Sequence, residues 1–209
     1  MNYMGYSRAV LIDAPWDEFE LPREGRILDA GSGTGWAIRS FEARGLSAIG
    51  LDLVSNGSRS IRGSVTSLPF RNRAFDVVVC ARTLMHVADE LATVREFARV
   101  LRANGFLLVS VPNRWSYTLL NLRAGSRRWA PSQDQRIYRV YSRGNLVRLL
   151  NRAGFEIVGV RSCHFLPRWL SRHSGDRSLQ FFADADSSFG RSLAISPFGP
   201  LLVACGRKR

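Results

Sequence analysis

Short apolar runs alternate along the chain with stretches of helical spacing, and that alternation predicts most of the elements. Arg26-Ile27-Leu28-Asp29-Ala30, Leu46 to Asp52 and Ala74 to Cys80 read as buried parallel strands, the third dominated by valine. A fourth, Gly105 to Val111, closes at Pro112, which has no N–H for a central ladder. Between the third and fourth, Leu91, Val94, Ala98 and Leu101 recur at helical spacing over Ala88 to Arg102, and Asn104-Gly105 is expected to end that helix. Ser142 is the expected N-cap of a later helix carrying Leu146, Leu149 and Leu150, with Gly154 just past its end. The strands Phe155 to Val160 and Leu201 to Cys205 complete an α/β sandwich with a mostly parallel sheet. One connection is too short for a crossover helix: only the ten residues Leu53 to Arg62, rich in Ser, Gly and Asn, separate Asp52 from Gly63, so a loop or a single helical turn is expected there.

Composition narrows the class. The 209 residues, 45% hydrophobic and 22% charged, suit one domain with a substantial core. No run of eighteen apolar residues occurs and the first residues lack a signal-peptide core, so a cytoplasmic protein without a membrane span is expected. Cys80, Cys163 and Cys205 are widely spaced, which argues against structural zinc or a disulfide framework. No metal is expected, since His164 and His173 lack ligand spacing and a completing cluster. The formal charge is +13 and Lys208 is the only lysine, so arginine supplies almost all the positive charge. That surface favours anionic partners, although a GC-rich coding bias produces the same composition.

The decisive segment is Ile27 to Trp36, where a strand runs into Gly31-Ser32-Gly33-Thr34-Gly35 and then into a helix expected from about Ala37 to Arg44. Alternate glycines let backbone turn sharply and approach a ligand, and the next strand ends in Asp52, placed to accept from ribose hydroxyls. The dinucleotide fingerprint wants a small residue where this chain has Trp36, which weighs against a nicotinamide oxidoreductase.

This segment resembles the first motif of class I S-adenosylmethionine-dependent methyltransferases, with Asp29 at the acidic position two before the first glycine. Gly63 to Phe70, Ala74 to Cys80, Leu84-Met85-His86-Val87 and Val100 to Leu107 resemble the successive signatures of its small-molecule, ubiquinone-biosynthesis-like branch, over roughly residues 24 to 113. The resemblance implies a Rossmann-like, seven-stranded, mostly parallel sheet with helices on both faces and an antiparallel C-terminal strand pair. It implies S-adenosyl-L-methionine as cofactor and S-adenosyl-L-homocysteine as product. Gly31, Ser32, Gly33 and Gly35 would line the methionine and ribose, Asp52 would hold the ribose, and Leu53 would pack on the adenine. Ser64 and Val65 would sit at the adenine edge, with Ala81 and Arg82 on the opposite wall. Two departures stand out: Ser64 occupies the place of a usual acidic residue, and the 53–62 connection is shortened.

The implied reaction is methyl transfer to an O or N, less readily a C, of a small-molecule acceptor, within one domain spanning 1–209. Its parts would be a cofactor-binding core at 24–113, a lid or substrate insertion at 113–141, and a helix and strands at 142–209 that complete the sheet. Methyl displacement needs alignment and, for some acceptors, a base. His86 is the candidate base because imidazole titrates near neutrality, with simple packing against the loop as the alternative role. From Pro112 to Arg148 there are eight arginines and one acid, Asp134; Asn113, Arg114, Tyr117, Arg136, Tyr138 and Tyr141 are the candidate contacts to an anionic or aromatic acceptor. A solvated arginine face over tucked aromatics is the alternative for each. Phe181, Phe182 and Phe189 could cover the core or face a partner.

Two other classes remain open. Basicity interleaved with aromatics would suit a nucleic-acid methyltransferase, but Ala81-Arg82-Thr83-Leu84 lacks the motif of base-amine methylation. The serine and the short connection would suit a non-catalytic binding module with the same fold.

Overall fold

The computed structural model describes residues 9–54, 59–116, 139–163, 181, 184–186, 188 and 199–209. A π-helical turn, Ala9–Asp13, leads into the short helix α1 (Ala14–Glu18). Then come β1 (Arg26–Ala30), α2 (Ile38–Ala43), β2 (Ser47–Asp52), β3 (Ser60–Arg62) and β4 (Phe75–Ala81). A 3-10 turn, Leu84–His86, precedes α3 (Glu90–Val100), β5 (Leu101–Pro112), α4 (Arg143–Arg152), β6 (Phe155–Cys163) and β7 (Leu201–Lys208). The seven strands form one sheet in the order β3-β2-β1-β4-β5-β7-β6, parallel except for β7, which is antiparallel to β5 and β6.

Both faces of the sheet are covered, which is why its central strands read as continuous apolar runs. Leu28, Val78, Cys80, Leu107 and Val109 pack with Val94 and Phe97 of α3 and Leu146 and Leu150 of α4. On the other face Ile27, Val77, Val79, Leu108 and Val203 pack with Val10, Leu11, Trp16 and Phe41. The three cysteines are buried and free. Among the described residues no helix is long and apolar enough to cross a membrane.

The capping residues behave as their chemistry requires. Asp89 accepts from the Ala92 amide at the start of α3, and Ser142 accepts from Asn145 at the start of α4. Gly154 follows α4 at φ +95°. Three expectations need correction. The helix expected over 88–102 stops at Val100, because Leu101 is extended and already pairs with Phe75. Asn104-Gly105 is therefore no helix stop: Asn104, at φ +60°, belongs to an irregularity inside β5, where pairing jumps from Phe75↔Leu101 to Val77↔Phe106. The 53–62 connection is not wholly loop, because Ser60, Ile61 and Arg62 pair in parallel with Gly50, Leu51 and Asp52 and supply the seventh strand. Three residues are too few to show a period.

No helix joins β3 to β4; residues 63–74 cross as a loop, pinned by one side chain. Arg99 of α3 donates to the carbonyls of Phe70 (2.7 Å) and Leu68 (3.0 Å), to Asn72 (2.9 Å), and through Nε and Nη2 to Glu96. Glu96 accepts in turn from the Leu68 amide at 3.0 Å. Hydrogen bonds from Arg99 hold the Glu96 carboxyl below its ordinary range. A lowered carboxyl contributes stability above its unfolded pKa and loses it as pH falls through the folded one. Arg99→Ala is therefore expected to cost about 2–3 kcal/mol at pH 7, and the gap to wild type should narrow below about pH 4.5. Urea unfolding at pH 7 and pH 3.5 measures both.

Candidate functional site

The glycine turn lies beyond the carboxyl end of β1, wedged between the ends of β2 and β4. Gly31, Gly33 and Gly35 have φ of +85°, +52° and +71°, the left-handed region that favours glycine. At Gly31 space forbids any side chain as well: a Cβ would lie 2.0 Å from Thr83 Oγ1, just past the end of β4. The Thr83 hydroxyl is near the Gly31 carbonyl (3.4 Å) and the Ala81 carbonyl (3.3 Å), both acceptors. On the β2 side, the Gly31 and Ser32 amides both donate to Leu51 O, at 2.7 and 3.1 Å. The Gly33 amide donates to Asp52 Oδ2 at 2.8 Å, and Gly35 closes onto Ser32 O. Ser32 is buried and its hydroxyl meets that of Ser60, 3.3 Å away on β3.

Two carboxylates flank this turn. Asp29 is 2% exposed, and burial, reinforced by the Asp52 charge, pushes its carboxyl up to about 7. Asp52 is half-buried and accepts from Val54 N at 3.1 Å as well as from Gly33. A carboxylate has about four lone-pair sites, so two such bonds leave it able to accept from a diol. Beside it Leu53 and Val54 are 67% and 62% exposed, two apolar side chains turned to solvent at a strand end. A Cβ added at Gly33 would meet nothing within 4 Å, so the space beside the turn is open. Open space, spare acceptors and an apolar ledge fit a nucleoside cofactor.

The other expected residues are placed as follows. Ser64 is half-buried and spends its hydroxyl on Thr66, bonding the Thr66 hydroxyl at 2.8 Å and accepting from its amide at 3.2 Å. Val65 is buried in the core cluster with Leu51 and Leu68. Ala81 ends β4, and Arg82, exposed at φ +59°, donates its amide to the backbone and side-chain oxygens of Ser110, both at 3.1 Å. His86 ends the 3-10 turn between β4 and α3, half-buried, with its amide on Thr83 O at 2.9 Å. This places it beyond the carboxyl end of β4, on the same end of the parallel strands as the glycine turn after β1. Trp36 is half-buried against the second core.

Asn113 and Tyr141 make structural contacts that their sequence positions do not reveal. Asn113 is buried; its side-chain amide donates to Gly199 O at 2.8 Å, its backbone amide to Pro200 O, and its Oδ1 accepts from Trp115 N. Tyr141 is 3% exposed and donates to Glu90 Oε2 at 2.7 Å, while burial pushes its phenol up. Arg139 pairs with the same Glu90 at 3.2 Å. The Arg114 amide bonds Tyr141 O, and the Arg114 side chain is exposed. Tyr117, Arg136 and Tyr138 lie outside the described residues, as do His164, His173, Phe182 and Phe189. Phe181 is 67% exposed. Sequence reasoning missed Thr83 and Ser110, whose only signal was a hydroxyl at a strand end.

Known proteins agree with this geometry. Residues 6–160 match the family described as a methyltransferase domain, and the chain belongs to that family. The sheet order and the glycine turn make it a class I S-adenosylmethionine-dependent methyltransferase fold. A "Probable S-adenosylmethionine-dependent methyltransferase" of Mycobacterium tuberculosis is 28% identical over 195 residues, covering 85% of this chain and 64% of the relative. The chain thus spans less than two thirds of that relative's length. Among solved structures, a SAM-dependent methyltransferase from Thermotoga maritima superposes with a TM-score of 0.66 at 20% identity, covering 99% of this chain and 93% of that one. The 1,6-didemethyltoxoflavin-N1-methyltransferase of Burkholderia thailandensis, solved with its substrate and S-adenosylhomocysteine, gives 0.63 at 20% identity, covering 98% and 77%.

Asp29 makes stability depend on pH in a definite direction. Its folded pKa of about 7 lies above the model-compound value of 3.8, so the native state keeps a proton that the unfolded chain releases. This contribution is complete below pH 3.8 and is lost as pH rises through about 7. At about 1.4 kcal/mol per pH unit, roughly 4 kcal/mol is at stake. Asp29→Asn should abolish this decline, which thermal melts of both proteins at pH 5 and pH 8 would show as a flatter Tm profile for the variant.

Proposed function

We propose that this chain binds S-adenosyl-L-methionine and transfers its methyl group to an oxygen or nitrogen of a small-molecule acceptor. The observation that carries the reading is the glycine turn: its amides are pinned to Leu51 and Asp52, and it leaves Asp52 with unused acceptor sites beside open space. When bound, the cofactor supplies a methyl group already activated by its sulfonium, so neither metal nor covalent enzyme intermediate is called for.

The chain's own residues would bind and orient. Asp52 would accept from the ribose hydroxyls, Leu53 would cover the adenine, and Ser64 and Val65 would lie toward its edge. Gly31, Ser32, Gly33 and Gly35 would border the methionine and ribose, with Ala81 and Arg82 opposite. Asp29, ionised above about pH 7, would place negative charge behind a cationic ligand. Cofactor affinity should accordingly rise with pH through that value. His86 would take the proton from the acceptor, and residues 113–141 would cover it, with the exposed Arg114 at the rim as the contact to an anionic group. The core at 24–113 and the closing elements at 142–209 act in this reading as one domain. Family relatives named for methyl transfer from this cofactor support it, as does the fold neighbour solved with a small-molecule substrate.

Calorimetry with S-adenosylhomocysteine, followed by labelled-methyl transfer into fractionated host extract, tests the reading. Asp52→Ala should weaken cofactor binding at least tenfold and abolish turnover. His86→Ala should lower the rate with cofactor affinity unchanged. Unaltered turnover in the second variant removes His86 as the base, and absence of binding at millimolar cofactor leaves a non-catalytic module.

A further inference from the structure

A second recess lies at the opposite end of the sheet. Its volume is about 620 Å³ and it opens over the amino ends of β1 and β2, where Arg26 pairs with Ser47. The cause is architectural: residues 63–74 carry no helix, so this part of the face is roofed only by the loop that Arg99 pins. Ile49 of β2 lines it together with Phe70 and Phe75, which meet edge-to-face at 5.0 Å and 87°. Arg26, Arg59 and Arg71 line it too, beside small residues such as Ser47 and Ala74, and the lining includes no carboxylate. Arg59 is paired with Glu42 at 2.9 Å, but Arg26 and Arg71 have no ion-pair partner among the described residues. The nearby Asp76 is already committed to Arg102 through Oδ1 and to the Arg26 amide through Oδ2.

We infer that this recess is a second ligand site, for a free small molecule that joins an apolar body to a carboxylate or phosphate. Three arginines from three separate segments, two of them without an ion-pair partner among the described residues, call for an anion. The ring pair and Ile49 call for apolar surface attached to it. The volume falls in the range of about 300–1,000 Å³ usual for small-molecule sites. A bilayer is the poorer occupant: Phe75 is buried and Phe70 and Ile49 are half-buried, so the apolar atoms lie inside the recess and offer nothing to insert. Ser47 and Asp52 mark the two ends of β2, which at about 3.3 Å per residue are roughly 16 Å apart. The site is thus separate from the glycine turn and fills independently of it.

The test is calorimetric titration of the full chain with dodecanoate below its micellar concentration. Dodecyltrimethylammonium and inorganic phosphate serve as probes lacking the anion or the apolar body. Wild type should bind one dodecanoate saturably, with the same affinity when S-adenosylhomocysteine is present, and should bind each other probe at least tenfold more weakly. The double variant Arg26→Glu/Arg71→Glu should lose at least tenfold in dodecanoate affinity while keeping the wild-type circular dichroism. Ser47→Trp, which keeps every charge but fills the recess, should lose as much. Equal binding by the variants or by the cationic amphiphile overturns the proposal. So does binding only to phosphatidylglycerol vesicles, or a dimer in sedimentation velocity that Ser47→Trp dissolves.

Discussion

The carboxyl end of β2 holds the site together. Three amides of the glycine turn converge on it: Gly31 and Ser32 share the Leu51 carbonyl, and Gly33 takes Asp52. A turn this tight leaves backbone donors that must find partners, and here the neighbouring strand supplies them before any ligand arrives. The packing follows from that closure. Gly50 must lack a side chain because a Cβ would lie 2.6 Å from Ser32 Oγ, and Gly31 must lack one because Thr83 stands against it from the β4 side. The turn is thereby fixed from both flanks, and Asp52 is held at the crevice by the same bonds that hold the turn. One carboxylate, Asp52, organises the backbone and keeps acceptor sites unused beside the turn. The other, Asp29, sits behind it and bears the cost of burial beside a like charge.

Where partners are near in sequence or repeat at a helical or strand period, the chain was legible. Ser142 and Gly154 bound α4 as their chemistry predicts, and the central strands lie within a few residues of their apolar runs. Legibility failed where geometry came from elsewhere. β3 exists because Gly50 to Asp52 offer it a partner, not because Ser-Ile-Arg carries a pattern. Asn104-Gly105 looks like a helix stop, yet β4 draws Leu101 into the sheet first and the left-handed residue becomes an irregularity within a strand. At the site, the glycines and Asp52 were readable because they are contiguous with strand ends. Asn113 and Tyr141 were readable only as polar residues near the insertion. Their partners Gly199 and Glu90 lie 86 and 51 residues away, and no local rule supplies such a pairing.

The tie between Tyr141, Glu90 and Arg139 clarifies how the two ends of the 113–141 segment meet. Asn113 and Tyr141 form a parallel bridge, with the Arg114 amide on Tyr141 O and the Tyr141 amide on Pro112 O. Glu90, in the first turn of α3, takes the phenol from one side and a guanidinium from the other. The segment therefore leaves and returns at one place, beside the carboxyl end of β5 and the start of α3. Its two described ends are anchored there by backbone pairing and a shared carboxylate rather than by apolar packing alone.

Arg99 shows how the fold does without a helix between β3 and β4. Its five N–H donors are all accounted for, two on Glu96, two on the carbonyls of Leu68 and Phe70, and one on Asn72. A lysine has three donors and no planar fork, so it cannot hold Glu96 and the loop carbonyls together. This polar pin fixes the loop at a few points, whereas a helix would bury a continuous apolar stripe against the face beneath. The difference is surface left open over β1 and β2, lined by aromatic rings and by arginines. Shortening a crossover thus moves a structural duty from apolar packing to hydrogen bonding, and the uncovered sheet becomes available for recognition.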